Sequence, residues 1–213
     1  MPLQNRVTPE GQIVADPARG LMMGNRGGAL HDGARSLRRR RWVSKQWICC
    51  VLSFNGRRRQ VMSPGRYTEL FFLDEATAMA AGHRPCFECR RQDAVHFATL
   101  WARLSDGKGR ASAGEMDAVL HVERVDKRGA QVTHMAAPGG LPTGTFVRLD
   151  GRPHLVIGDA CAAWRADGYG AKVPRPKTGM VEVSTPRTMV AVMAAGYMAR
   201  LHPSAMAAAT DLR

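Results

Sequence analysis

A chain of 213 residues, 45% of them hydrophobic, is long enough to bury a real core as one domain or two small ones, which excludes both a disordered chain and a scaffold that depends on staples. Thirty-one Lys and Arg against eighteen Asp and Glu give +13 at pH 7, a balance that points to a polyanionic partner, nucleic acid first, through long-range attraction and counterion release. Five cysteines, no basic-then-apolar leader pattern and no apolar run near the ~18 residues of a bilayer span argue for a cytoplasmic chain with reduced thiols and no membrane partner.

Residues 1–34 mix Gly, Pro, Asn and Arg around two apolar groups, Gln12-Ile13-Val14 and Leu21-Met22-Met23, and read as loops with a single short strand at most. The run Met23-Gly24-Asn25-Arg26-Gly27-Gly28 lacks both the Lys-Ser/Thr ending of a phosphate loop and the spacing of a dinucleotide fingerprint, so it reads as a surface turn. From Gly33 to Thr68 there are ten basic residues and no acid. Arg38, Arg39, Arg40 and Arg41 run into Trp42, and Lys45 and Trp47 follow. Blocks of like charge are commonly solvated segments, but rings interleaved with cations supply the stacking surfaces beside phosphate contacts that nucleic acid uses.

Gln46 to Phe54 reads as a strand, Asn55-Gly56 as a two-residue hairpin turn and Arg57 to Met62 as the returning strand, with Arg57, Arg58 and Arg59 at its start. Strand alternation sends Cys49 and Cys50 to opposite faces, so at most one of them can reach a given metal. Tyr67 to Leu73 is a short apolar strand, after which Asp74 caps a helix that Gly82 stops. The turn that follows, Gly82-His83-Arg84-Pro85-Cys86-Phe87-Glu88-Cys89-Arg90-Arg91, presents two thiols at the Cys-x-x-Cys spacing that lets both bind one tetrahedral ion, with Pro85 fixing φ just before the first. Cys86 and Cys89 are thus half of a metal site; Cys49 or Cys50 and His83 or His31 are candidates for the rest. Arg90 to Leu104 reads as an amphipathic helix with Cys89 at its N-terminus, and His96 on it as a packing or surface residue.

Ser105 to Gly114 is a polar break that divides the chain into a basic domain over 1–104 and a second over 112–205. Ser112-Ala113-Gly114-Glu115 is a capping box opening a helix to about Lys127. On it Asp117, His121 and Arg124 fall at i, i+4 and i+7 with Glu123 on a neighbouring track, either an acid/base and phosphate-binding face or a plain ladder of ion pairs. Strands are expected over 145–149, 154–157 and 180–183, with a turn at Asp150-Gly151, a helix over 186–195, a solvated connection over 167–178 and Cys161 as a small buried hydrophobe. The fold class is α+β: an antiparallel hairpin and metal-turn module with helices, then a helix and a small antiparallel sheet or partial barrel.

The run from Leu70 through the Ala-rich helix to Gly82-His83-Arg84-Pro85-Cys86-Phe87-Glu88-Cys89-Arg90 resembles the second half of the zinc-binding domain of Ada-type DNA methylphosphotriester repair proteins, over about a tenth of the chain. The resemblance implies zinc at Cys86 and Cys89, with Arg84, Arg90 and Arg91 beside a nucleic-acid backbone and a role in DNA maintenance. Two features depart from that pattern. The family's first ligand pair is Cys-x-x-x-Cys where this chain has adjacent Cys49 and Cys50, and His83 stands where the family has an aromatic residue. The expected protein is therefore a structural-zinc, nucleic-acid-binding one, DNA before RNA. Two alternatives stand behind it: a hydrolase- or glycosylase-type enzyme using the Asp117/His121/Glu123/Arg124 face, and a dithiol redox protein.

Overall fold

The computed structural model describes residues 1–58, 60–105 and 107–207. Its centre is the shortest of the early helices, α1 (Glu75–Ala80), whose six residues are all buried. Asp74 caps it, accepting from the Thr77 amide at 2.8 Å. At its other end the Gly82 amide bonds the Met79 carbonyl and the His83 amide bonds the Ala78 carbonyl, the paired closing bonds of a helix that ends on a left-handed residue. Gly82 has φ +82°, and a Cβ there would stand 2.4 Å from Arg124 Cδ, so both backbone and packing require glycine.

Small side chains let α1 sit between two sheets. The first is six-stranded and mixed: β1 (Gln4–Val7), β2 (Ile13–Ala15), β3 (Met22–Arg26), β4 (Trp47–Val51), β5 (Leu70–Phe72) and β6 (Arg84–Pro85), in the order β2-β1-β5-β3-β4-β6. One face, with Val7, Met22, Cys49, Leu70 and Phe72, packs on Ala78 of α1 and on Ala81 at its C-cap. The second is a six-stranded antiparallel sheet: β7 (His134–Ala136), β8 (Phe146–Leu149), β9 (Arg152–Ile157), β10 (Ala160–Arg165), β11 (Gly168–Pro174) and β12 (Val181–Val183), in the order β11-β10-β9-β8-β12-β7. Its Phe146, Leu155, Ala162 and Tyr169 meet Leu73, Ala76 and Ala80. The other face of this sheet buries Val147, Val156, Val181 and Val183 around Cys161, the small buried hydrophobe expected there.

Helices α2 (Arg91–Arg103), α3 (Ala113–Arg124) and α4 (Arg187–Ala194) close a third core in which Phe97, Trp101, Met116, Leu120, Met189 and Val192 surround Met79. The capping box at Ser112 and Glu115 forms as read. A short C-terminal helix, α5 (Ser204–Ala207), lies against the second sheet and buries Ala205. All three cores that touch α1 or Met79 take side chains from it, and two of them take side chains from both sides of the 105–114 break.

The α+β class holds, with three differences in detail. The second sheet stays open, with β11 and β7 as its edges, rather than closing toward a barrel. The Asn55-Gly56 turn forms with both residues at positive φ (51° and 65°), but the described residues of 57–62 make no strand, because β4 is already paired on both sides, by β3 and by β6. Strands β1, β3 and β11 arise where loops were expected, and β10 where no element was read; Gly, Ala and Arg give these segments little intrinsic β preference, and long-range pairing supplies it. Among the described residues no helix is long and apolar enough to cross a membrane.

Candidate metal centre and basic cleft

Strand parity and one parallel pairing build the cluster. In β4, Cys49 points into the core against α1 and Cys50 to the opposite face of the sheet. β6 pairs parallel to β4 with Ile48 opposite Arg84 and Cys49 opposite Pro85, and the Cys86 amide continues the ladder to the Cys49 carbonyl at 3.0 Å. The chain then turns, the Arg90 amide bonding the Cys86 carbonyl at 3.0 Å and the Glu88 amide reaching Cys86 Sγ at 3.4 Å. The result is that Cys50, Cys86 and Cys89 present three Sγ atoms all within 4.8 Å of one another, a group that could hold a metal ion.

Hydrogen bonds from the Cys50 and Cys89 thiols, then from the Cys89 and Glu88 amides, hold Cys86 far below the ordinary thiol pKa, while the hydrogen bonds of Cys50 to Cys86 and to Cys89 push Cys50 up. The cluster therefore titrates as a unit that already favours one thiolate, the form a cation needs. Of the other expected ligands, Cys49 is fully buried, raised by burial and then by Glu75, with its sulfur 3.5 Å from Arg90 Nη1. His83 is also fully buried, between the Trp47 and Phe72 rings at 5.1 and 4.7 Å, and its Nε2 accepts from Arg26 Nε at 3.3 Å. His31 bonds Thr68 Oγ1 at 2.6 Å and the Ser63 carbonyl. None of these three belongs to the cluster.

The sulfurs lie in the wall of a cleft of about 1120 Å³ whose floor is the open face of the first sheet. Across that face Arg6, Phe71, Met23 and Cys50 are in register on four successive strands, with the Arg6 guanidinium 4.8 Å from the Phe71 ring centre. The 52–67 segment adds exposed Arg57, Arg58 and Arg66 and the half-buried rings of Phe54 and Tyr67 to the lining, and exposed Arg19 lines it as well. Arg6, Arg19, Met23, Asn25 and Phe71 escaped the sequence reading. Period-2 spacing of Met23 and Asn25 was the available signal, but only the register with Cys50 and Ile48 gives it meaning.

The remaining expected residues divide into surface and core. Arg38, Arg39, Arg40, Arg41, Lys45 and Arg91 are exposed and Trp42 half-buried, outside the cleft, whereas Arg57 and Arg58 are exposed within it. Arg59 lies outside the described residues. Arg84 and Arg90 are not at the surface. Arg84 forms a two-pronged pair with Asp117, at 2.9 and 2.7 Å, and Arg90 bonds Glu75 at 2.7 Å and Asp93 at 2.8 Å.

Asp117, His121 and Arg124 do share one face of α3, but that face looks inward at the metal turn. Arg124 donates to the Gly82 and Lys45 carbonyls at 2.8 and 2.6 Å and stacks 4.0 Å from the Trp47 ring centre. His121 lies against Trp42, and Glu123 accepts from the Thr188 amide and hydroxyl at the start of α4. Asp117, Arg124 and Glu123 thus have their partners on the metal turn, on Lys45 and on α4 rather than on one another. No protein-family model matches the chain, and no curated protein or solved structure matches it either.

Proposed function

We propose that the protein is a zinc-stabilised nucleic-acid-binding protein, DNA before RNA, with a part in DNA maintenance. The observation that supports this reading best is the placing of three convergent sulfurs in the wall of an arginine-rimmed cleft. Three thiolates select a soft or borderline ion of tetrahedral habit, and zinc is the available one that stays redox-silent. Bound there, it would tie β4 to the turn before α2, so its binding energy would add to folding energy. Five cleft arginines against Asp16, Glu69 and Glu88 keep the local field positive, as a phosphate backbone requires. The Ada-type likeness of residues 67–91 supports DNA as the partner.

Elemental analysis of protein purified without chelator is expected to give about one zinc per chain, and Cys86→Ser or Cys50→Ser to lose it with a lowered unfolding midpoint. DNA affinity is expected to fall steeply with salt, the log–log slope shrinking by about one for each phosphate-contacting arginine removed. Full folding and binding in a metal-free Cys86→Ser variant would overturn the reading.

A further inference from the structure

The cluster supplies three sulfurs, and among the described residues no fourth Cys, His, Asp or Glu joins it. The two histidines and the cysteine that could have completed it are engaged elsewhere, and the nearby Glu88 carboxylate is held by Arg57 at 2.7 Å. A tetrahedral ion on three protein ligands keeps one position open. Here the sulfurs border the cleft, so a ligand lying in it would be next to an ion held by them. Three thiolates around a dication leave the centre with a net negative charge. A phosphate oxygen is repelled by such a centre, and a neutral nitrogen donor is not.

The cleft has the other parts of a single-strand site. Its guanidiniums come from Arg6 on the sheet face, from Arg19, and from Arg57, Arg58 and Arg66 of the 52–67 segment, and the rings of Phe54, Tyr67 and Phe71 line the same cleft. Arginine is already stacked on two of those rings, Arg57 at 5.5 Å from Phe54 and Arg6 at 4.8 Å from Phe71. A positive groove with aromatic platforms suits unpaired nucleotides, whose base faces are free to stack. The row from Arg6 to Cys50 covers three inter-strand steps of about 4.8 Å, room for a short run of nucleotides rather than one. Pairing occupies adenine N1 and cytosine N3 in a duplex, while purine N7 stays open in the major groove; in a single strand N1 and N3 become lone-pair donors as well.

Building on the zinc reading above, we infer that the Cys50/Cys86/Cys89 centre is an open metal site whose fourth ligand is N1 of an unpaired adenine or N3 of an unpaired cytosine, delivered by a single-stranded nucleic acid lying in the Arg6–Arg66 cleft. The metal then senses strandedness: phosphates are held by the cleft arginines, and adenine N1 or cytosine N3 reaches the ion only when the base is free of its partner.

Cobalt(II) replaces zinc and reports its coordination in the visible spectrum. The full chain loaded with cobalt is titrated with imidazole, then with a mixed-sequence single strand of about ten nucleotides, the same sequence as duplex, and an abasic strand of equal length. Imidazole and the single strand are expected to shift the cobalt bands saturably. The duplex is expected to bind about tenfold more weakly or worse, and the abasic strand to bind in a salt-dependent way without moving the bands. Arg19→Glu and Arg66→Glu are expected to weaken single-strand binding about tenfold each while leaving the free cobalt spectrum intact. Bands that respond to neither imidazole nor single strand overturn the inference while leaving the zinc reading standing, as does duplex binding equal to single-strand binding. Failure to take up cobalt or zinc at all removes the zinc reading, and the inference with it.

Discussion

Trp47 shows how a residue typical of nucleic-acid surfaces becomes part of a core. It is 1% exposed, with the guanidinium carbons of Arg26 and Arg124 3.9 and 4.0 Å from its ring centres. Burial pushes both guanidiniums down to about 9, Arg124 acting further on Arg26, which leaves both charged at neutral pH. His83, its ring 5.1 Å from the same indole, must then stay neutral: burial first, and next the charges of Arg26 and Arg124, hold its pKa well below the ordinary value. Between the unfolded value of ~6.5 and the lower folded one, the unfolded chain carries the extra proton. Stability should therefore fall as pH drops below ~6.5, by about 1.4 kcal/mol per pH unit for this one group. Urea midpoints from pH 7 to 5 are expected to slope less in His83→Gln, with His121 and His134, also held low, leaving a residue of the effect. Equal slopes in the two proteins would mean that His83 is not the proton acceptor.

Among the elements, α1 has the least freedom. Its alanines are the spacers between the sheets, and Ala76 and Ala80 are fully buried against Phe146 and Leu155. Ala76→Leu should cost about 1–3 kcal/mol by overpacking, read as a lower denaturant midpoint with unchanged slope. The same helix carries two acids. Asp74 accepts from the Tyr169 hydroxyl and the His202 amide, and Glu75 from Arg90, the Tyr197 hydroxyl and the Arg200 amide. The C-terminal segment is thus fastened to the first residues of a helix some 120 positions earlier in the chain. On α3, Asp117→Ala would leave the Arg84 guanidinium buried without its partner, at about 3–5 kcal/mol. An acid/base role would instead predict a variant as stable as the wild type but inactive, so thermal unfolding of Asp117→Ala separates the two.

For the molecule as a whole, the shared cores decide how it unfolds. Residues 1–104 alone would uncover Met79, Phe97 and Trp101, which in the full chain meet Met116, Leu120 and Met189. Full-length protein is expected to unfold in one transition. The isolated 1–104 fragment is expected to bind a hydrophobic dye and to lack a cooperative melt. Two separate transitions in the full chain would mean that residues 1–104 and 112–205 unfold independently.

What the sequence settles by itself is local. The Asp74 cap, the glycine stop, the capping box at Ser112, the tight turns at Asn55-Gly56 and Asp150-Gly151, and the pairing of Cys86 with Cys89 all follow from neighbours a few residues apart, where chain geometry leaves little choice. Strand alternation also limited Cys49 and Cys50 to one ligand between them. Which one, and what the acids and arginines of 84–124 are for, is decided by contacts across dozens of residues: β6 pairing parallel with β4 selects Cys50, and the packing of α3 on the metal turn takes up Arg84, Asp117 and Arg124 inside. The cleft belongs wholly to the tertiary structure, because its row of Arg6, Phe71, Met23 and Cys50 comes from four strands whose register no local pattern encodes.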